Sequence, residues 1–299
     1  MNTTVRTAGK RWGLRRMAGA NGFFSMVAID QRPPIFALLA RTLGVPLDSV
    51  SFEQVCAVKR VLGEAFADHA SAMLVDPNYG YPALADLLNP ARGLVLTLED
   101  HRTTPDRRSA PIAAWSVAKI RALGADAVKL LAWYHPRADA AVREHQQAFV
   151  QQVGEDCARH DIAFVFELLL YPLHSDDAAA YREDSAKRAD EVLQSVEEFA
   201  HPRYQVDLFK LESPLAMAGV PRPGEVGDEA CAAAFAALHR ACGSRPWVML
   251  SAGATPADFE RVVGYAARAG AAGFLAGRAL WSDALERWPD VARVRGELR

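Results

Sequence analysis

The sequence predicts a single (β/α)8 barrel, and three observations carry that prediction. Short apolar, β-branched or aromatic runs alternate with segments of helical period along the whole chain, the pattern of a parallel sheet with right-handed crossovers. Eight such units fit the 299 residues at a repeat of about 37, a length suited to a closed barrel. No linker-like or low-complexity stretch divides the chain, so one domain is expected over 1–299, with 1–22 as an N-terminal extension and 286–299 as a C-terminal tail. The rival is a doubly wound open sheet, but no GxGxxG follows any strand, which weakens its nucleotide-binding form.

The elements follow in order. The first strand, Phe24–Ile29, runs into Asp30-Gln31-Arg32, and the helical segment Phe52–His69 leads to Ala72–Val75. That second strand ends at Asp76, before Pro77-Asn78-Tyr79-Gly80, a turn sequence that makes Asp76 a loop residue or helix cap. Leu94–Leu98 is the third strand and ends in Glu99-Asp100. Trp115–Leu123 then precedes "AVKLLAW" at Ala127–Trp133, and Val142–Arg159 precedes "AFVFELLL" at Ala163–Leu170. Lys187–Phe199 leads to Leu208–Leu211, and Ala230–Ala241 leads to Val248–Leu250, which ends in Ser251-Ala252-Gly253. Thr255 as N-cap and Pro256 at N1 open the helix Ala257–Ala269, and the last strand, Phe274–Leu275, ends at Gly277-Arg278.

Composition excludes several classes of function. A net charge of −2 and a pI of about 6.5 give no reason to expect a nucleic-acid partner. The basic clusters Lys10–Arg16 and Arg102–Arg108 lack interleaved aromatics. No stretch reaches the roughly 20 apolar residues of a membrane span. The run Phe23–Ile29 behind Arg15-Arg16 ends at Asp30 with no small-residue cleavage site, so no signal peptide is expected. Cys56, Cys157, Cys231 and Cys242 form no CxxC pair and read as reduced thiols of a cytoplasmic protein. The eight histidines show no HxH, HExxH or HxxxH spacing, and only His101, His135 and His174 fall near strand ends, so no metal is expected.

Function in a barrel collects where strands end. Lys129, Glu167 and Lys210 stand out because each interrupts an apolar run on consecutive strands, and Lys and Glu are almost never fully buried unless paired. One reading is a structural Lys–Glu–Lys ion network. The other is Schiff-base chemistry, which needs a lysine of ordinary pKa about 10.4 lowered by burial and by a neighbouring cation. Lys129 would be that cation for Lys210, and Glu167 between them would shuttle protons. The glycines of "LSAGATPADF" and "LAGRALW" either make tight turns or admit an anion to the backbone, and Arg278 beside them favours a phosphate site. Glu212 shares the face of Lys210 by the two-residue strand period, as counter-ion or substrate ligand.

The blocks "AIDQR", "DAVKLLAWY", "FVFELLLYP", "HPRYQVDLFKLESP", "WVMLSAGATPADF" and "GFLAGRALW" resemble, in order and spacing, the LacD-type class I aldolases, the group of the tagatose-1,6-bisphosphate aldolases. The resemblance covers roughly 24–285 and implies a (β/α)8 barrel whose sixth-strand lysine, here Lys210, forms a Schiff base with a ketose C2 carbonyl. It implies Lys129 and Glu167 as the lysine and acid/base glutamate of the neighbouring strands, with Asp30 and Gln31 at the end of the first. It implies a C1-phosphate site at Ser251, Gly253, Gly277 and Arg278, no metal or other cofactor, and dihydroxyacetone phosphate plus an aldehyde as products. A sugar phosphate is then the partner, and barrels of this type commonly form homo-oligomers. The loops "EDHRTTPDRRSAP" and "YPLHSDD" depart from the family and fall where the C6 group would be met, leaving 6-phosphate, 6-sulfonate and neutral ends open. The alternatives are therefore cleavage of 6-deoxy-6-sulfofructose 1-phosphate and a non-catalytic sugar-phosphate sensor on the same fold.

Overall fold

Strands buried on both faces are written as unbroken apolar runs, and all eight runs form strands in the computed structural model, which describes residues 6–100, 107–173 and 188–298. The strands are β1 (Phe24–Ala28), β2 (Ala72–Val75), β3 (Gly93–Thr97), β4 (Ala127–Trp133), β5 (Ala163–Leu169), β6 (Leu208–Leu211), β7 (Trp247–Leu250) and β8 (Gly273–Ala276). Each pairs in parallel with the next, and β8 pairs with β1 through Phe24↔Gly273, closing the barrel. β8 extends one residue beyond the apolar pair Phe274–Leu275 at each end, to Gly273 and to Ala276. Glycine is required at position 273: its φ is +142°, and a Cβ would lie 1.9 Å from the Phe24 carbonyl oxygen.

The N-terminal extension contains a helix, α1 (Ala8–Met17), that closes the barrel's bottom. Its Met17 packs, fully buried, against Met26, Leu74, Val95, Val165 and Leu275 inside the barrel. Half of the basic cluster Lys10–Arg16 is used to hold it: Lys10 Nζ lies 2.8 Å from Asp207 and Arg16 Nε 2.7 Å from Asp126. The outer layer comprises α2 (Pro33–Leu43), α3 (Phe52–Phe66), α4 (Gly80–Leu84), α5 (Val117–Ala122), α6 (Ala140–Arg159), α7 (Ala189–Phe199), α8 (Asp228–Ala241), α9 (Pro256–Ala269), α10 (Arg278–Leu285) and α11 (Val291–Glu297). A capping box of Ser51 and Gln54 starts α3, and Thr255 caps α9 as expected, accepting from the Asp258 amide. The larger core lies between sheet and helices, where Phe166, Phe199, Tyr204 and Phe209 form one aromatic cluster. The tail packs through Val294 of α11. Among the described residues no helix is long and apolar enough to cross a membrane.

Candidate active site

The two-residue strand period turns Lys129, Glu167 and Lys210 into the barrel interior near its C-terminal mouth. In the sheet register Glu167 lies directly beside Lys210. Glu167 Oε2 stands 2.8 Å from Lys129 Nζ and 2.9 Å from Lys210 Nζ, so one carboxylate oxygen bridges both lysines. Lys129 Nζ is also 3.0 Å from Asp30 Oδ2, 2.6 Å from Glu99 Oε1 and 3.4 Å from Thr97 Oγ1. All five charged groups are buried.

This environment corrects one expectation. Lys129 does not face Lys210 as a bare second cation, because three carboxylates enclose it. Burial works against its charge, but Asp30, Glu167 and Glu99 together outweigh burial and hold its pKa above the ordinary lysine value. Burial likewise opposes ionisation of Glu167, and the two lysines outweigh it, keeping that carboxyl below its usual range. With all groups ionised, the three carboxylates and two ammoniums sum to −1.

Glu99 is the site member the sequence reading passed over. Its Oε2 also accepts from the Leu131 amide at 3.0 Å, so it ties the end of β3 to β4 while touching Lys129. The only sequence signal was a carboxylate at a strand end, which a loop residue gives equally. Asp76 is the loop residue of the two alternatives: it holds the turn after β2 by accepting from the amides of Asn78, Tyr79 and Gly80 ahead of α4. Glu212 is buried, and its Oε1 accepts from the Leu170 amide at 2.6 Å, so it anchors the end of β5.

Beyond β7 and β8 the chain turns tightly. Ala252 and Gly253 both have positive φ, +43° and +80°, and Ser251 Oγ accepts from the Gly277 amide at 3.3 Å. An added Cβ on Gly253 would lie 3.1 Å from the Arg278 guanidinium carbon, and one on Gly277 would lie 2.7 Å from Gln31 Nε2. The glycines therefore serve close approach as well as turning: they let Arg278 and Gln31 converge on the loop. Ser251, Gly253, Gly277 and Arg278 line one hollow with Gln31, Glu167 and Lys210. A second hollow, lined by Asp30, Lys129 and Leu131, shares those last three residues. All nine residues expected at the site thus line two adjoining hollows that share Gln31, Glu167 and Lys210, with Arg278 on the lining of one of them.

Other expected features fall elsewhere. His135 lies 3.7 Å from Glu191, while His101 and His174 are outside the described residues. Among the described residues no group of three or more His, Cys, Asp and Glu side chains could hold a metal ion. Most of the Arg102–Arg108 loop and the end of "YPLHSDD" also lie outside the described residues. Arg107 is described: its guanidinium stacks over the Trp133 ring at 4.7 Å, with Tyr171 at 5.9 Å.

Comparison with known proteins gives concordant results. The profile of the DeoC/LacD family aldolases matches residues 24–283. Tagatose 1,6-diphosphate aldolase 2 of Enterococcus faecalis is 32% identical over 296 residues, covering 96% of this chain and 88% of its own. The tagatose 1,6-diphosphate aldolase of Lactococcus lactis is 31% identical over 290 residues, covering 94% and 87%. Among solved structures, fructose-bisphosphate aldolase from Plasmodium falciparum superposes with a TM-score of 0.66 at 11% identity, covering 98% of this chain and 92% of its own. An archaeal fructose-1,6-bisphosphate aldolase with its catalytic lysine bound to a carbinolamine intermediate superposes with a TM-score of 0.58 at 17% identity, covering 95% and 96%. At those identities the two structures establish a shared fold.

Proposed function

Because this chain belongs to the DeoC/LacD family of aldolases, we propose that it cleaves a ketohexose 1,6-bisphosphate through a Schiff base on Lys210. The observation that carries the reading is the shared oxygen of Glu167, within 3 Å of both lysine nitrogens and beside the arginine-lined hollow. The tagatose 1,6-diphosphate aldolases among the relatives favour a tagatose- or fructose-type substrate.

In this account Ser251, Gly253, Gly277 and Arg278 hold the C1 phosphate, which sets C2 above Lys210. Glu167 Oε2 takes a proton from the Lys210 ammonium, and the free amine adds to the C2 carbonyl. The same carboxyl returns a proton to the carbinolamine oxygen, which leaves as water and gives an iminium. That cation is the electron sink: the C4 hydroxyl gives its proton to the Glu167 carboxylate, the C3–C4 bond breaks, a three-carbon aldehyde departs, and the same carboxyl then supplies the proton for enamine C3. Protonation of the resulting enamine at C3 and hydrolysis of the imine release dihydroxyacetone phosphate and restore Lys210. Lys129, held protonated by its three carboxylates, keeps Glu167 in the carboxylate form at the start of each cycle. Asp30 orients Lys129, and Gln31 reaches the substrate from the Gly277 side.

We extend the reading to a homo-oligomer in the cytoplasm. The exposed Leu47 and Phe52 beside Phe36 and Tyr79 and the four free cysteines support it. A panel of tagatose 1,6-bisphosphate, fructose 1,6-bisphosphate, 6-deoxy-6-sulfofructose 1-phosphate and fructose 1-phosphate, coupled to detection of dihydroxyacetone phosphate, tests the substrate. The bisphosphates should give the highest kcat/KM. Preference for the sulfonate would reassign the substrate, and no cleavage of any of the four would refute the proposal.

A further inference from the structure

Lys59, on α3, is fully buried and takes no part in the steps above. Its Nζ lies 2.6 Å from the Ile29 carbonyl oxygen, 2.9 Å from that of Gln31 and 2.6 Å from Asp76 Oδ1. Three acceptors thus match the three hydrogens of an ammonium. Two of them are backbone carbonyls on either side of Asp30, just past the end of β1, where the sheet ladder no longer supplies donors.

A buried ion pair is weak evidence for stability, since apolar residues of the same volume often do as well. The carbonyls it grips are a stronger indication of what this pair does. The segment between them presents Asp30 to Lys129 at 3.0 Å and Gln31 to the glycine loop. Asp76, in turn, is fixed by three amides leading into α4, so the grip is referred to β2 and α4 as well as to α3.

We propose that Lys59 is a positioning residue for the aldol reaction: paired with Asp76, it clamps the backbone on both sides of Asp30 so that Asp30 and Gln31 meet Lys129 and the substrate. The inference rests on the function proposed above, in which Asp30 and Gln31 belong to the working site. A misplacement of about 1 Å in such a group can cost about 100-fold in rate.

The test uses Lys59→Met/Asp76→Asn, which removes both charges together and so leaves no buried charge orphaned, alongside Asp30→Asn and the triple variant. The paired substitution should unfold within a few degrees of wild type and lower kcat by about 100-fold, with KM changed much less. Asp30→Asn should itself lower kcat at least about tenfold. If Lys59 acts through Asp30, the triple variant should be no more than about twofold slower than the slower of its two parents, a non-additivity that general loosening of the core would not produce. An impaired Asp30→Asn with a paired variant within about threefold of wild type, or with fully additive losses, overturns this inference alone. An Asp30→Asn enzyme with wild-type turnover overturns both the inference and the role given to Asp30.

Discussion

Replacing Lys129 by methionine removes the one cation that three carboxylates share. In the wild type the Asp30, Glu99 and Glu167 oxygens lie 3.0, 2.6 and 2.8 Å from its Nζ. Without it the cluster holds three carboxylates and Lys210, a sum of −2, all of them buried. Breaking a buried pair from one side typically costs about 3–5 kcal/mol. The variant's way out is to bind a proton. Holding a carboxyl of ordinary pKa about 4.3 neutral costs about 3.7 kcal/mol at pH 7 and about 1 kcal/mol at pH 5. The wild-type contribution does not change over that interval. Glu167 is depressed, so its stabilisation is complete above the unfolded carboxyl pKa and is lost only on further acidification through its lowered folded value. Lys129 is raised, so its stabilisation is complete below the ordinary lysine pKa and fades only as pH climbs through its raised value. Urea unfolding at both pH values should therefore show Lys129→Met less stable by about 3–4 kcal/mol at pH 7, narrowing by about 2–3 kcal/mol at pH 5. A deficit below about 1 kcal/mol at pH 7, or one that fails to narrow, would refute the enclosed-cation account.

Two further outcomes are expected. Arg278→Met should raise KM for a ketose 1,6-bisphosphate by about 10- to 100-fold, the worth of a charge-assisted phosphate contact, with a smaller effect on kcat; steady-state kinetics showing an unchanged KM would remove Arg278 from the phosphate site. Burial pushes the thiols of Cys231 and Cys242 up to about 11 and 12, and raises Cys157 further, whereas Cys56 is only half-buried and raised less. Titration with a disulfide reagent at pH 8 should label Cys56 alone in the folded protein and all four after unfolding.

The barrel was legible because its strands are written as apolar runs, against which the charged Lys129, Glu167 and Lys210 stand out. The glycine pattern after β7 and β8 was equally plain, and it marks where Arg278 and Gln31 approach the loop. Glu99 escaped because nothing in "LTLED" separates a carboxylate facing the barrel from one in solvent. Only closure of β3 against β4 brings it to Lys129. Lys59 escaped for a related reason. A lysine in the amphipathic segment Phe52–His69 reads as a solvated helix residue until tertiary packing seals it under the Asp30 loop. The N-terminal segment looked like an appendage because Met17, its one deeply inserted side chain, gives little periodic signal. Glu212 was expected on the face of Lys210 by the strand period, and its contact with the Leu170 amide depends on the neighbouring strand.

Reductive trapping tests whether Lys210 is the nucleophile. Borohydride added during turnover of a ketose 1,6-bisphosphate should reduce the imine to a stable secondary amine. Peptide mass spectrometry should then find the added sugar-phosphate mass on Lys210, with loss of activity in proportion to labelling. An adduct on Lys129 or another lysine, or full turnover with no trapped adduct, would contradict the account.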